Sequence, residues 1–350
     1  MNTRDLGQLL FVGFDGVELS GELRGFLSRI RPGGIILFSR NLVDPDQVMR
    51  LTASLREICE PRPLLAVDEE GGRVSRLRSM TPTLPPAAAL AARGNPELVR
   101  DLAERLGAML ATLGFDIDFT PVVDLCGPEA TNGVGDRSFG EDPEQASILA
   151  GAVLDGLARA GVTGCLKHFP GLGPTTSDSH LHLPTATRDE QELRRLDLVP
   201  YHRLKDSARV VMIGHGHYPG WAGPKPLAAT LVPRIATDLL RREVGFEGLA
   251  LADDLEMKAV ADHVPYEDLA PRVLVSGCDM ALVCRHPDAI ERSLAGLRSW
   301  AQDGRLPAAR IDEAFRRLDA LRAAALRPEA GRETFASARD ALASRLTDLA

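Results

Sequence analysis

The segment Leu249-Ala250-Leu251-Ala252-Asp253-Asp254 places two carboxylates directly after a short apolar run. An uninterrupted apolar run of this length is typical of a strand buried in a parallel sheet. Because side chains on a strand alternate between its two faces, only one of the two adjacent carboxylates can point toward the centre of the fold. The other carboxylate is left to cap or brace a neighbouring element. The segment therefore predicts a buried strand with a functional acidic end.

Similar apolar or β-branched runs recur along the chain, with amphipathic stretches of helical spacing between them. The predicted strands are Leu10–Phe14, Gly34–Phe38, Leu64–Val67, Asp116–Pro121, Gly164–Phe169, Val210–Gly214, Gly248–Ala252 and Met280–Val283. The predicted helices include Pro96–Thr112, Pro143–Ala160, Asp189–Asp206, Ile235–Val244, Leu269–Ser276 and Asp288–Ala301. Strands that alternate with helices form a parallel sheet covered by helices. Eight such strands favour an α/β fold of the (β/α)8 TIM-barrel type over an open doubly wound sheet.

Length and charge narrow the class of protein. The chain of 350 residues is long enough for one large domain, which we expect over residues 1–326, followed by a peripheral helical tail over residues 327–350. A formal net charge of −8 argues against nucleic acid as a partner, because phosphate backbones are bound by clustered basic surfaces. The sequence shows neither a signal-peptide pattern nor an apolar stretch long enough to span a bilayer. We therefore expect a cytoplasmic protein with no membrane partner, acting as a monomer or weak homodimer.

The five cysteines are odd in number and contain no C-x-x-C pair. A zinc site or a dithiol redox motif normally needs such spacing. We expect reduced thiols that are mostly buried, as free cysteines usually are.

Polar side chains follow many of the predicted strands. They are Ser39-Arg40-Asn41, Asp68-Glu69-Glu70, Asp124, Lys167-His168, His215 and Asp253-Asp254. In a parallel barrel the carboxyl ends of all strands meet at one mouth, where barrel enzymes carry out their chemistry. Any one of these residues could merely cap the following helix. Their number favours a functional site at the mouth.

The most informative stretch is Lys167-His168-Phe169-Pro170-Gly171-Leu172-Gly173, followed by Asp178-Ser179-His180. Proline and glycine force an irregular loop after the strand, and this loop carries Asp178 and His180. A carboxylate two residues from a histidine can hold one imidazole nitrogen and raise the basicity of the other. Such a pair can protonate a leaving oxygen and then deprotonate water.

Other interpretations of these motifs remain open. The pairs His180/His182 and His215/His217 could be metal ligands, although in metal-dependent barrel hydrolases such a pair follows the first strand rather than the fifth and sixth. The P-G-x-G element could cradle phosphate, but it lacks the Gly-x-Gly-x-x-Gly spacing before a helix. The polar residues of the loop could also serve only to satisfy backbone groups.

Two further motifs offer groups that could bind a polar ligand. Asp68 ends a predicted strand and could accept sugar hydroxyl hydrogens, while the glycines after Glu70 allow a sharp turn and Arg76 lies just beyond. Arg137, in Gly135–Pro143, offers a planar fork for oxygen acceptors. Its alternative role is an internal Asp–Arg brace before the helix that begins at Pro143.

Together these segments resemble glycoside hydrolase family 3, and within it the single-domain bacterial β-N-acetylhexosaminidases of peptidoglycan recycling. The resemblance runs from about Phe11 to about Cys284 and includes Gly33–Asn41. It implies a (β/α)8 barrel, a carbohydrate substrate that is an N-acetylglucosaminyl glycoside, no metal and no other cofactor, and a retaining double displacement.

The resemblance also implies roles for individual residues. Asp253 matches the nucleophile, with Ala252 in place of the usual serine, and His180 assisted by Asp178 matches the acid/base dyad of the N-acetylglucosaminidase branch. The residues that match the sugar-binding set are Asp68, Arg76, Arg137, Lys167 and His168, with Met212 and His215 expected to line the pocket.

One position departs from the family pattern. Leu172 stands where the family usually has the histidine of P-G-H-G, which could alter turnover or substrate preference. A β-glucosidase or an N-acetylglucosaminide phosphorylase on the same scaffold is the enzymatic alternative, since a histidine acid/base would tolerate an incoming phosphate better than a glutamate would. A non-catalytic sugar-binding protein is the alternative from another class.

Overall fold

A computed structural model gives the fold and describes residues 5–173, 175, 183–325 and 334–348. Eight parallel strands close into a barrel in which every strand pairs with its neighbours in sequence and the first pairs with the last. The barrel strands are β1 (Leu10–Val12), β2 (Gly34–Leu37), β3 (Leu64–Val67), β4 (Ile117–Asp118), β5 (Thr163–Phe169), β6 (Val210–Ile213), β7 (Leu249–Asp254) and β8 (Met280–Val283). The predicted (β/α)8 barrel is confirmed.

Helices surround the barrel. The α-helices are Gly21–Ile30, Pro45–Arg56, Ala87–Arg93, Pro96–Thr112, Pro143–Arg159, Glu190–Arg195, Val199–Leu204, Pro219–Ala222, Lys258–Ala261, Tyr266–Ser276, Pro287–Gln302, Ala308–Ala325 and Phe335–Thr347, and a π-helix spans Arg234–Glu243. Short 3-10 turns lie at Leu6–Leu9, Ser39–Asn41, Gly135–Arg137 and Ala229–Leu231.

Three of the longer helices start in the same way. Asp44, Asn95 and Asp142 each stand directly before a proline, and their side chains accept backbone N–H groups of the first turn. The cap satisfies a donor that would otherwise have no partner, and the proline has no N–H to leave unpaired. This local pattern explains why the predicted starts at Pro96 and Pro143 are correct.

Aromatic side chains fill the centre of the barrel. Phe11 and Phe119 meet edge to face with ring centroids 5.5 Å apart. A Cβ on Gly34 would lie only 2.2 Å from the Phe11 ring, so glycine at this position makes room for that ring. Filling the interior with side chains closes the barrel as a packed core and leaves its carboxyl-end mouth as the open face.

Several predicted elements differ from the structure by one to three residues at an end, and two differences have a local cause. The strand predicted over Asp116–Pro121 shortens to β4, although the Asp116 backbone still bonds to Leu65 and Thr163 on the two neighbouring strands. After β4 the chain turns locally, because the Thr120 N–H donates to the Asp118 carbonyl oxygen and Pro121 has no N–H for the ladder. The helix predicted over Asp189–Asp206 is two helices, Glu190–Arg195 and Val199–Leu204. Pro200 stands in the first turn of the second helix, where it cannot donate to the helix before it.

The C-terminal helix Phe335–Thr347 packs on Pro96–Thr112. Leu342 is fully buried in the main core, and Arg345 Nε lies 2.6 Å from Asp101 Oδ2. The proposed boundary at residue 326 lies outside the described residues. In the described part of the chain, every helix is too short or too polar to cross a membrane. All five cysteines are buried and free, as predicted.

Candidate active site

A cavity opens at the carboxyl ends of the barrel strands, with an empty volume of about 790 Å³ including its open mouth. The predicted site residues that line it are Asp68, Arg76, Arg137, Lys167, His168, Met212 and Asp253. Glu70, Arg73, Phe38 and Met257 complete much of the wall. The structure thus brings together residues that the sequence separates by nearly two hundred positions. The predicted dyad, Asp178 and His180, lies outside the described residues.

The two carboxylates at the end of β7 have different surroundings. The Asp253 carboxylate lines the cavity, and its Oδ1 accepts the backbone N–H of Asp254 at 2.8 Å. Asp254 Oδ1 accepts the backbone N–H groups of Glu256 and Cys284, at 3.1 and 3.2 Å. Burial, together with the nearby charges of Glu256 and Asp253, raises the pKa of Asp254 to about 7. Asp254 therefore braces the loops after β7 and β8. Asp254 also lines the cavity beside Asp253, contrary to the prediction from strand alternation, because the register of β7 with β8 shifts at this point.

Lys167 lies at the centre of a buried ion cluster. Its Nζ contacts Asp68 Oδ1 at 2.7 Å and Glu70 Oε1 at 2.6 Å, and only 3% of its side chain is exposed. Burial lowers the pKa of this ammonium, but the two carboxylates act in the opposite direction and the net shift is upward. Lys167 is therefore charged and firmly held at the cavity wall.

Arg137 completes this cluster from the opposite side. Its Nε and Nη2 donate to the two oxygens of Glu70 at 2.7 and 2.8 Å. Burial raises the pKa of Glu70, but Arg137 and Lys167 outweigh it and hold that pKa well below its usual range. The internal brace considered for Arg137 therefore exists, but its partner is Glu70 rather than an aspartate. The neighbouring Asp136 instead pairs with Arg73, at 2.8 Å.

A short hairpin after β3 presents these groups. Its strands are Glu69–Gly71 and Val74–Ser75, and Gly71 and Gly72 turn between them with positive φ angles of 92° and 51°. Glu69 Oε2 accepts the backbone N–H groups of Arg76 and Leu77 at 2.7 and 2.9 Å. Burial raises the pKa of Glu69. Glu69 thus fixes the backbone from which Arg76 reaches the cavity.

The three consecutive acids after β3 therefore do different things. Asp68 lines the cavity beside Lys167 and lies 3.7 Å from Arg76 Nη2. Glu69 points inward and braces the hairpin, while Glu70 lies between Lys167 and Arg137. Arg76 Nε is buried and has no hydrogen-bond partner among the described residues. A ligand oxygen in the cavity could satisfy that N–H group.

His168 is oriented by a buried carboxylate. Asp124 Oδ2 lies 2.7 Å from His168 Nδ1, and Asp124 Oδ1 accepts the backbone N–H of His168 at 3.2 Å and that of Leu172 at 2.7 Å. The register of β5 with β6 shifts between Lys167 and Phe169. Such an irregularity breaks the alternation of side chains. Lys167 and His168 accordingly both line the cavity.

Both ends of the segment that carries the predicted dyad are tied to the barrel. On the incoming side, Asn132 Nδ2 donates to the carbonyl oxygens of Leu172 and Gly173 at 3.0 and 2.9 Å. On the returning side, the backbones of Pro184, Ala186 and His217 exchange hydrogen bonds, with N···O distances of 2.7 and 2.9 Å. The loop ends are therefore fixed beside the cavity wall.

Leu172 sits in an apolar surrounding. It is 4% exposed and forms a small cluster with Val122, Cys126 and Val134. None of these three neighbours is a strong hydrogen-bond partner for an imidazole. The neighbours thus match the leucine, which gives a packing reason for the departure from P-G-H-G.

Met212 and His215 have different positions. Met212 lines the cavity, but His215 is fully buried and is not among the lining residues. His215 Nε2 donates to the Asp254 carbonyl oxygen at 2.9 Å, and Nδ1 accepts from the Thr230 hydroxyl at 2.9 Å. Burial lowers the pKa of His215. The expectation that His215 lines the pocket is corrected: it supports the end of β7 from behind, and both ring nitrogens are already engaged, leaving none for a metal.

Sequence reasoning missed three residues that shape this site. The sequence pattern identifies Glu69, Glu70 and Asp124 only as polar residues at strand ends and predicts no individual role for them. Their partners lie far away in sequence, for example Arg137 for Glu70 and His168 for Asp124. The available signal was the accumulation of acids next to the predicted cationic residues of the mouth, which need counter-charges when buried.

The fold and cavity define the class of (β/α)8 barrel proteins with a polar, charge-lined site at the carboxyl ends of the strands. The chain belongs to glycoside hydrolase family 3. The sequence model of the family that is described as the glycosyl hydrolase family 3 N terminal domain matches residues 2–321 of this chain. The predicted resemblance to this family is confirmed.

Relatives of known name agree with this membership. A protein named beta-hexosaminidase from Pseudomonas aeruginosa is 41% identical over 296 residues, which is 83% of this chain and 86% of the relative. A beta-hexosaminidase from Alkalilimnicola ehrlichii is 39% identical over 295 residues, covering 82% of this chain and 84% of the relative.

Solved structures are also similar. A fungal multi-domain GH3 beta-N-acetylglucosaminidase superposes with a TM-score of 0.92 at 34% identity, covering 99% of this chain. This chain spans only 42% of the fungal protein. NagZ from Neisseria gonorrhoeae, in complex with N-trifluoroacetyl-D-glucosamine, superposes with a TM-score of 0.79 at 29% identity, covering 96% of this chain and 97% of that one.

Proposed function

We propose that this protein is a retaining β-N-acetylhexosaminidase that releases terminal, non-reducing N-acetyl-β-D-glucosaminyl residues. The observation that carries the proposal is the cavity in which the Asp253 carboxylate shares a wall with the Lys167–Asp68–Glu70–Arg137 cluster. Membership of family 3 and the beta-hexosaminidase relatives support the choice of substrate.

In this mechanism Asp253 is the nucleophile. One oxygen of its carboxylate attacks the anomeric carbon while the bond from that carbon to the leaving oxygen breaks, and His180, assisted by Asp178, gives the leaving oxygen a proton. A covalent glycosyl-enzyme ester results, with inverted configuration at the anomeric carbon. Water then attacks that carbon, His180 takes the proton from water, and the Asp253 carboxylate is released. Two inversions give net retention.

The charged wall has a separate role in binding the sugar. Asp68 can accept hydroxyl hydrogens, while Lys167, Arg137 and Arg76 can donate to hydroxyl or N-acetyl oxygens. Because Lys167 and Arg137 are already held by Glu70, little side-chain freedom is lost when the sugar binds. The wall is therefore arranged in advance for a neutral, hydroxyl-rich ring.

The nucleophile is tested with Asp253→Ala and an aryl N-acetyl-β-D-glucosaminide. We expect kcat/KM to fall by about 10³-fold or more, because no covalent intermediate can form. Added azide should restore turnover of the variant and yield the α-glycosyl azide, because a small anion enters from the face that the carboxylate occupied. The matched control is Asp238→Ala on the outer π-helix, where Asp238 pairs with exposed Arg242. Turnover of Asp253→Ala close to that of the control would overturn the assignment.

The same assay separates hydrolysis from the alternatives. Wild-type enzyme should release the β-anomer first, as seen by NMR, at a rate that does not depend on phosphate. Formation of sugar 1-phosphate only in phosphate buffer would instead favour a phosphorylase. A tight complex with N-acetylglucosamine without turnover of any aryl glycoside would favour a binding protein.

We further propose that the natural substrates are peptidoglycan fragments, processed in the cytoplasm by a monomer or weak homodimer. This part rests on the resemblance to the bacterial single-domain branch. Release of N-acetylglucosamine from a β-linked N-acetylglucosaminyl–N-acetylmuramyl disaccharide tests the substrate, fractionation of cells tests the compartment, and light scattering tests the oligomeric state.

A further inference from the structure

Asp124 lies directly behind the cavity wall and does not itself line the cavity. It is 1% exposed and accepts three N–H groups: the Nδ1–H and backbone N–H of His168 and the backbone N–H of Leu172. His168 lines the cavity. Leu172 lies at the anchored start of the loop that carries Asp178 and His180. The buried Asp124 carboxylate therefore contacts both a residue of the sugar-binding wall and the start of the loop that carries the proposed acid/base pair.

We propose that Asp124 is a positioning residue that fixes the proton of His168 on Nδ1, so that Nε2 faces the sugar as a hydrogen-bond acceptor, and that at the same time anchors the loop at Leu172. The loop part rests on the proposed function, because it assumes that this loop carries the acid/base pair. The His168 part stands on the geometry alone.

The tautomer follows from the partners of the ring. A carboxylate oxygen accepts and does not donate, so the 2.7 Å contact with Asp124 Oδ2 requires a hydrogen on His168 Nδ1. Since Asp124 lies behind the wall, the opposite edge of the ring, with Nε2, faces the cavity. In the neutral ring Nε2 then has a free lone pair. Among lysine and arginine donors on the same wall, His168 adds an acceptor for a sugar hydroxyl.

The variant Asp124→Asn reverses this polarity without removing the loop anchor. An asparagine has one acceptor oxygen and one NH2 group. The oxygen is expected at the Oδ1 position, because there it satisfies two backbone N–H groups, those of His168 and Leu172. In the opposite orientation both backbone N–H groups would face an NH2 group. Each N–H group left without an acceptor would lower the stability by about 1–3 kcal/mol. The NH2 group therefore donates to Nδ1, and the ring hydrogen moves to Nε2.

A second variant separates the two tasks. Asn132 donates to the carbonyl oxygens of Leu172 and Gly173 and accepts the backbone N–H of Val134, and these hydrogen bonds do not involve the His168 ring. Asn132→Ala therefore loosens the same loop end and leaves the Asp124–His168 pair in place. Comparison of the two variants distinguishes the imidazole effect from a general weakening of the loop.

The decisive measurement is the ¹⁵N chemical shift of the His168 ring in the full-length protein. We expect Nε2 to be unprotonated in the wild type and in Asn132→Ala, and protonated in Asp124→Asn. Affinity for N-acetylglucosamine should fall roughly ten-fold in Asp124→Asn, as for loss of one hydrogen bond, and stay near the wild-type value in Asn132→Ala. Asn132→Ala should instead lower kcat, with KM little changed.

The outcomes are distinguishable from failure of the proposed function. The ring tautomer and sugar affinity can be measured even if the enzyme hydrolyses nothing, so they test the His168 part independently. An unprotonated Nε2 in folded Asp124→Asn would overturn that part. The loop part is tested by Asp124→Ala, which removes the acceptor of the Leu172 N–H that Asp124→Asn keeps. A kcat of folded Asp124→Ala no lower than that of Asp124→Asn would overturn the loop part. Thermal unfolding of each variant confirms that the measured protein is folded.

Discussion

The two ends of the barrel carry buried ion clusters that look alike but differ in what surrounds them. At the carboxyl-end mouth, Lys167 lies between Asp68 and Glu70. At the opposite end, which we call the base, Asp279 lies directly before β8. Its carboxylate accepts N–H groups from Arg241 and from Arg310 and Arg317 of the helix Ala308–Ala325. In both places the central group is nearly inaccessible to solvent, so burial does not distinguish them.

The clusters at the base are closed by protein groups. Asp279 Oδ2 also accepts the backbone N–H of Ala250 at 2.8 Å, and a second base carboxylate, Asp116, accepts from Arg56, Arg62 and the backbone N–H of Leu65. These carboxylates tie helices to the starts of strands. The mouth cluster instead forms one wall of a cavity. A perturbed, buried ion network thus indicates a functional site only where it borders space for a ligand.

The largest effect on stability is expected from removing the central carboxylate of the ion cluster at the base. Asp279→Ala removes the buried carboxylate partner of Arg241, while Arg310 and Arg317 keep Glu313 as a counter-charge. The variant should lower the free energy of unfolding by about 3–5 kcal/mol, mainly through the buried and unpaired Arg241. Because Asp279 is remote from the cavity, kcat/KM of the protein that remains folded should be close to that of the wild type. Chemical denaturation and assays at low temperature measure the two quantities. A large loss of kcat/KM in folded protein would break the distinction between the two ends.

The converse change is Lys167→Met at the mouth. Glu70 keeps its two hydrogen bonds from Arg137, and Asp68 keeps Arg76 nearby, so the loss of stability should be smaller than for Asp279→Ala. The sugar loses a preorganised cationic donor, and kcat/KM should fall by about 10²-fold, near 2.7 kcal/mol. Chemical denaturation and kinetic assays of both Asp279→Ala and Lys167→Met test whether the first variant loses mainly stability and the second mainly kcat/KM. If Lys167→Met were the less stable of the two and fully active, the mouth cluster would be structural.

The sequence predicted the base less well than the mouth, for a physical reason. Strand ends at the mouth carry polar residues next to apolar runs, and a local pattern is enough to notice Asp253 or Lys167. Asp116 and Asp279 stand before short strands, and the sequence pattern places Asp116 inside the predicted strand Asp116–Pro121. Their arginine partners lie on helices that can be assigned to them only when the barrel has closed.

At the mouth, the sequence predicts which residues form the site, but it does not predict which side chains pair with each other. The family pattern and strand-end placement were enough to gather Asp68, Arg137, Lys167 and His168 at one cavity. Two features depended on side-chain direction: Glu70 as the partner of Arg137, and His215 behind the wall rather than in it. Both require knowledge of which face of the backbone each side chain takes, and neither a bulge in β5 nor the hairpin after β3 was foreseen.

The smallest expected effect concerns Asp254, a mouth residue that behaves like those at the base. Burial raises the pKa of Asp254 from 3.8 to about 7, so the folded protein holds a proton that the unfolded chain releases at lower pH. The stabilisation from Asp254 is therefore full below about pH 4 and is lost as the pH rises through about 7.

Asp254→Asn resembles the protonated acid, and its side-chain oxygen can still accept the N–H groups of Glu256 and Cys284. The free energy of unfolding of the variant, minus that of the wild type, should therefore grow by on the order of 2 kcal/mol between about pH 5 and about pH 8. Taking the difference cancels the contributions of other buried acids such as Asp197, whose pKa burial raises to about 6. A difference that is flat with pH would mean that Asp254 is ionised in the folded protein and adds a second negative charge to the cavity beside Asp253.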